Sequence, residues 1–130
     1  MTKEDIVNPK RYTQNKLQCW DFWIKAGLDP LIASAVKYVW RYKHKNGLED
    51  LNKAKVFLRK AIEEVHKTEL YHSYKFYLLP HSEVEDLSDK QYKFMLNATG
   101  TTGNTHYVYH CEQMIDLVDE MMKEYESNND

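Results

Sequence analysis

Cysteine is scarce in this chain. Cys19 and Cys111 are the only two in 130 residues, and neither stands in a CxxC or CxH pattern. That argues against a disulfide-stapled scaffold, and two free thiols are the ordinary state of a protein in a reducing compartment. No apolar run approaches the roughly 18 residues a membrane helix needs. The opening MTKEDIVNPKRY is polar, so neither a signal peptide nor a transmembrane segment is expected, and the expected location is the cytoplasm with no membrane partner. A P-loop is missing too: GxxxxGK[ST] occurs nowhere, which removes the commonest sequence signal for nucleotide triphosphates. There is no internal repeat and no low-complexity segment.

A hydrophobic content of 42% over this length fits one domain that buries roughly two-thirds of its unfolded surface without disulfides or metals. The net charge of -2 hides an uneven distribution. Residues 1–65 carry 13 Lys and Arg against 8 acids, and residues 66–130 carry 5 against 12, so the halves stand at +5 and -7. Such asymmetry suits a basic binding surface on one half and an acidic one on the other, or self-association of unlike faces.

The three prolines and four glycines act as punctuation. Asn8-Pro9 turns residues 1–14 into an extended lead-in. Leu17, Trp20, Trp23 and Ile24 then follow helical spacing, and Gly27 suits a helix stop. Asp29-Pro30 reads as an N-cap with proline at the first helical position, which starts a helix from about Pro30 to His44. Its apolar arc is Leu31, Ile32, Ala35, Val36, Tyr38, Val39, Trp40 and Tyr42. Ser34, Lys37, Arg41 and Lys45 fall together on the opposite side.

Asn46-Gly47 ends that helix. Another follows from Leu48 with core positions Leu51, Ala54, Leu58, Ala61, Ile62 and Val65, so the two form an antiparallel hairpin over about 30–66. The period slips after Val65, and LYHSYKFYLLP, ended by Pro80, fits a continued helix, a kinked one or a short strand. Ser88 with Gln91 three residues on is a capping-box signature for a short helix. NATGTTGNT reads as a loop. The last helix is expected over about Thr105–Tyr125, with Val108, Cys111, Ile115, Val118 and Met122 on one stripe and Met114, Leu117, Met121 and Tyr125 beside it. A frayed tail over 126–130 completes an all-α single domain.

Three constellations are candidates for chemistry. Lys37, Arg41 and Lys45 recur every fourth residue, with Glu49, Asp50 and Lys53 across the turn. Like charges at that spacing repel by a few tenths of a kcal/mol per pair, so something must compensate them. A salt bridge from Lys37 or Arg41 to Asp50 would do so. So would a phosphate, which arginine grips through a planar fork and lysine attracts as a point charge. Tyr38, Trp40 and Tyr42 read mainly as core, with Tyr42 the aromatic best placed to reach a base. A pI near 6.3 and a single basic stripe argue against long nucleic acid.

The second constellation is TGTTGNT, residues 99–105, a plain connection or an anion cradle ahead of a helix. The third is His106 and His110, one helical turn apart beside Cys111 and Glu112. Two imidazoles fall short of the three or four ligands a zinc site needs, so no metal site is expected. No nucleophile with its base stands out, so no catalytic residue is named. Asp21, between Trp20 and Phe22, reads as a carboxylate that is either buried or placed in the first turn of a helix.

ASAVKYVWRYKHKNGLEDLNKAKVFL, residues 33–58, resembles the core of the SaV-like family of small phage proteins. Lys37, Tyr38, Arg41, Lys45, Gly47, Asp50, Leu51, Lys53, Ala54 and Leu58 fit its pattern in order and without gaps. Residues 8–27 resemble it more loosely, through Asn8, Pro9, Tyr12 and Asp21. The chain departs from the family pattern at Arg11, where a histidine is usual, and at Ala33-Ser34, where Gly-Asn is usual. The family is similar to a phage nucleotide kinase that lacks a P-loop. The resemblance therefore implies a phage accessory protein in which Lys37, Arg41, Lys45 and Lys53 hold nucleotide phosphates and Asp50 orients a base, a lysine or a magnesium ion. Arg11, Tyr12, Asp21, Ser34 and Tyr42 are the accessory positions. If phosphate is transferred, Mg2+ is expected to bridge the phosphates, and the activity would be nucleoside monophosphate kinase-like; otherwise the protein sequesters its ligand.

The competing function is an interaction protein that antagonises a host or defence factor through its acidic C-terminal half. A third is a helical module with no ligand. The 13% aromatic content and the charge asymmetry also point to a homo-oligomer, which could complete a site at an interface.

Overall fold

The computed structural model describes residues 16–65, 67, 77–103 and 106–128. The expected lead-in over 1–14, including Arg11 and Tyr12, and most of LYHSYKFYLLP lie outside the described residues. Among those described the fold is all-α, and its elements are α1 (Cys19–Ala26), α2 (Pro30–Arg41), α3 (Leu48–Glu64), α4 (Asp89–Gly100) and α5 (Tyr107–Asn128). Short 3-10 turns occupy Tyr42–His44, His81–Glu83 and Thr101–Gly103.

The helix ends follow local chemistry. Asp29 caps α2 by accepting from the amides of Leu31 and Ile32, both at 2.9 Å, and Pro30 takes the first turn, where its missing N–H costs nothing. Gly27 closes α1 in the left-handed conformation at φ 67°. Its N–H bonds to the Ile24 carbonyl and the Leu28 N–H to that of Trp23, the two bonds of a Schellman close. The expected capping box is formed: the Gln91 amide donates to Ser88 Oγ at 3.1 Å, and the Ser88 amide donates to Gln91 Oε1 at 2.8 Å.

Four helices enclose the core. The α2–α3 hairpin is the most extensive contact, α3 packs on α5, α5 on α4, and α4 back on α2, with α1 outside this ring against α2. Ile32, Val36, Val39, Leu51, Leu58, Phe94, Met95, Met114, Val118 and Met121 are completely buried within it. Each such side chain contributes roughly 1.5–3 kcal/mol by leaving water. Gln91, buried in the first turn of α4, donates to the Val39 carbonyl near the end of α2 at 2.9 Å. The chain changes to 3-10 geometry at Tyr42, so the last α2 carbonyls need partners other than the next helical turn.

Several expectations are corrected. In α1 the buried residues are Phe22 and Ala26; of the residues at helical spacing, Leu17 just ahead of the helix is buried, Trp23 is half-buried, and Trp20 and Ile24 are 43% and 62% exposed. Tyr42 is not an accessible stacking residue. It is buried, with its ring 6.2 Å from that of Tyr125, because the 3-10 turn directs it under α5. NATG is not loop but the last turn of α4, and α5 runs to Asn128, so residues 126–128 are helical where fraying was expected. The buried line of α5 is Tyr107, Cys111, Met114, Val118 and Met121, a seam that draws from both expected stripes.

Gly47 is needed twice over. Its φ is 52°, which side chains with a Cβ rarely adopt, and a Cβ there would fall on the Tyr125 hydroxyl and its ring carbon.

Candidate functional site

The basic stripe of α2 is compensated in part from within. Arg41 Nη2 donates to Asp50 Oδ1 at 3.2 Å, and the Asn46 amide donates to Asp50 Oδ2 at 3.1 Å. Asp50 is 0% exposed, and Arg41 keeps 16% of its side-chain surface. The carboxylate therefore holds the guanidinium across the hairpin turn and has no surface left for a ligand. Lys53 pairs with Glu49 at 3.3 Å, one turn away on α3. Lys37 has no carboxylate partner among the described residues. Lys45 is exposed at the C-cap of the 3-10 turn.

Three of these cations converge on Tyr38. Lys37 Nζ lies 4.7 Å, Arg41 Cζ 4.9 Å and Lys53 Nζ 5.6 Å from its ring centroid. The ring itself stacks on Phe57 at 5.8 Å, which anchors it. Aromatic contact offsets part of the mutual repulsion of the cations, at about 0.5–1 kcal/mol per exposed pair, while keeping them together.

Beside this cluster a cleft of about 150 Å³ opens between α1 and α2, lined by Gln18, Cys19, Trp20, Trp23, Lys37 and Arg41. A single water needs only about 10–15 Å³ by the same measure, so the cleft has room for a ring or an anionic group. Its walls are mostly apolar. Two buried polar atoms on its lining residues, Gln18 Oε1 and Arg41 Nε, have no hydrogen-bond partner among the described residues. Buried polar atoms are almost always partnered, and leaving one unmet costs about 1–3 kcal/mol. Gln18 is also the N-cap of α1 but gives it no side-chain capping bond. The positive end of that helix therefore meets the same cleft.

Cys19 belongs to this wall. Burial pushes its thiol up to about 12, against the opposing pull of Lys37 and Arg41. At neutral pH it is an uncharged wall atom and not a nucleophile.

The other expected residues are dispersed. Ser34 is part-exposed on α2 and donates to the Pro30 carbonyl at 2.8 Å. Asp21 lies half-buried in the first turn of α1 and does not line the cleft. Of residues 99–105, Asn104 and Thr105 lie outside the described residues. The hydroxyls of Thr99, Thr101 and Thr102 donate back to the carbonyls of Leu96, Ala98 and Thr99, which is the behaviour of a helix terminus.

Of His106 and His110, the second is engaged on α4. His110 Nδ1 is 2.9 Å from Asn97 Oδ1, its ring presses on Gly100, and burial followed by the nearby His106 holds its pKa below the usual value. Among the described residues no three His, Cys, Asp or Glu side chains gather as metal ligands. No helix among them is long and apolar enough to cross a membrane.

Residue-by-residue reading missed Gln18, Cys19, Trp20 and Trp23 as walls of the cleft. The available signal was an excess: an eight-residue helix whose only polar side is Asp21 and Lys25 carries a wider apolar arc than one buried face can use.

Residues 6–59 match the model of a family described as a protein of unknown function, DUF3310. The match takes in α1, α2 and most of α3, and therefore every residue that lines the cleft. No curated protein and no solved structure matches the chain.

Proposed function

We propose that this protein binds a small phosphate-bearing ligand, a nucleotide or a nucleotide-like phosphate, in the cleft between α1 and α2. The observation that carries the reading is Arg41. Asp50 holds one edge of its guanidinium, and the buried Nε, without a partner among the described residues, belongs to the side chain that lines the cleft. An arginine already held at Nη2 loses little further entropy when its remaining N–H groups take an anionic oxygen. Lys37 supplies a second positive charge and the uncapped start of α1 a third partial one.

The ordered resemblance of residues 33–58 to the SaV-like pattern supports a nucleotide as the source of the phosphate, and with it the role of a phage accessory protein that sequesters or phosphorylates nucleotides. In such a site Lys37 and Arg41 grip phosphate, while Asp50 and Tyr38 position them. Lys53 adds charge from α3. The residues do not fit a protein-held magnesium ion, because Asp50 spends both oxygens on Arg41 and Asn46.

Isothermal titration of the whole chain with inorganic pyrophosphate and with nucleoside mono- and diphosphates tests the reading. The expected result is saturable heat with Kd below about 1 mM, weakened at least tenfold in Arg41→Met. No heat from any of these at about 100 μM protein, where millimolar sites begin to be missed, would sink it.

A further inference from the structure

Two of the cleft's walls are of a kind that phosphate does not require. Trp20 and Trp23 stand one helical turn apart on α1, and both border the cleft opposite the cations of α2. Trp20 is 43% exposed, and its neighbour Ile24 is 62% exposed. Packing against the core does not account for that exposure, since α1 is anchored by Phe22 and Ala26, which are completely buried. Phosphate gains nothing from an apolar wall and is costly to desolvate against one. A flat ring gains both area and stacking there.

The second observation is the pair of polar atoms. Gln18 Oε1 is an acceptor and Arg41 Nε–H a donor; both are buried, and neither has a partner among the described residues. The two residues belong to different helices bordering the same cleft. Both atoms are sealed from solvent, so an occupant meets them only once the Gln18 and Arg41 side chains turn toward the cleft; the accessible wall itself is apolar and suits a flat ring.

We infer that the cleft is a base subsite: a nitrogen heterocycle carrying an N–H or amino donor stacks on Trp20 and Trp23 and donates to Gln18 Oε1, while its phosphate lies toward Lys37 and Arg41. This rests on the phosphate-binding reading above and narrows it, because it makes the base, and not phosphate alone, a principal source of affinity. The neutral Cys19 thiol completes the apolar floor. Gln18 becomes the residue that separates bases presenting a donor from those presenting only acceptors at that edge.

The test compares nucleoside 5′-monophosphates with ribose 5-phosphate, which has the same sugar and phosphate but no base, in titrations followed by tryptophan fluorescence and by heat. The expected result is that the monophosphates bind about tenfold or more tighter than ribose 5-phosphate, the size of one base–aromatic stack, with a change in tryptophan emission only for the former. Trp20→Ala, at a half-exposed position, should remove most of that advantage by weakening the monophosphates far more than ribose 5-phosphate. Gln18→Met should reduce the differences among the bases.

Equal binding of ribose 5-phosphate and the monophosphates overturns the base subsite while leaving phosphate recognition standing. So does a Trp20→Ala variant that weakens both ligands alike. Absence of binding by all of them, and by pyrophosphate, overturns both.

Discussion

Replacing Asp50 with Asn is expected to cost about 2–4 kcal/mol of folding stability. The carboxylate is 0% exposed and accepts from Arg41 at 3.2 Å and from the Asn46 amide at 3.1 Å. A hydrogen bond to a charged partner contributes about 1.5–3 kcal/mol and a neutral one about 0.5–1.5 kcal/mol. Asparagine keeps one acceptor oxygen and turns an NH2 group toward a donor, so one of the two bonds is lost and the guanidinium loses its counter-charge. Breaking a completely buried pair costs about 3–5 kcal/mol. Arg41 retains 16% of its side-chain surface, so water recovers part of that and the loss falls below the upper figure.

Urea denaturation measures it, with an unchanged m-value showing that the native state is intact. The cause is isolated by a double-mutant cycle with Arg41→Gln. Removing the stranded cation should return roughly 1–2 kcal/mol, so the double variant should be more stable than the sum of the single losses. Both single variants should lose pyrophosphate affinity, Asp50→Asn by letting the guanidinium swing and Arg41→Gln by removing it. A loss below about 1 kcal/mol for Asp50→Asn, or strict additivity in the cycle, would refute the claim that this pair fixes the arginine.

Gly47→Ala should destabilise by about 2–4 kcal/mol, combining a left-handed backbone cost of about 1–3 kcal/mol with the approach of Tyr125; Tyr125→Ala in the same chain should return part of it, read from urea midpoints. Ser88→Ala should cost about 1 kcal/mol through loss of the capping box, measured by thermal unfolding. His110 has its pKa held below 6.5, first by burial and then by His106, so the unfolded chain takes up the proton first. Stability should therefore fall as the pH drops through the unfolded value toward the lowered folded one. Urea midpoints at pH 7.5 and 5.5 should show this slope, and His110→Gln should flatten it.

Much of the helical framework was legible because its signals act over two to four residues. Asp29-Pro30, Gly27, and Ser88 with Gln91 each satisfy or terminate a backbone hydrogen-bonding pattern locally, so spacing suffices to find them. Phase was harder. In α5 the buried seam fell between two apolar stripes, because both were wide enough to face the core and the neighbouring α3 and α4 chose the centre line. In α4, Asn97 and Thr99 read as loop residues. Their side chains bond back to the carbonyls of Lys93 and Leu96, which lets the helix continue through Gly100.

Sequence by itself determined the all-α class, the hairpin and its turn, and the gathering of basic residues on one side of α2, since each depends on near neighbours along the chain. Only the tertiary structure decided which of those cations share a site. The 3-10 turn leaves Lys45 exposed at its end, Asp50 holds Arg41 at Nη2, and α1 presents Trp20 and Trp23 to the same cleft as Lys37. Those outcomes depend on the surface each short element meets when it packs, and a helix of eight residues whose apolar arc spans every side but that of Asp21 and Lys25 has its buried face chosen by its neighbour and not by its own pattern.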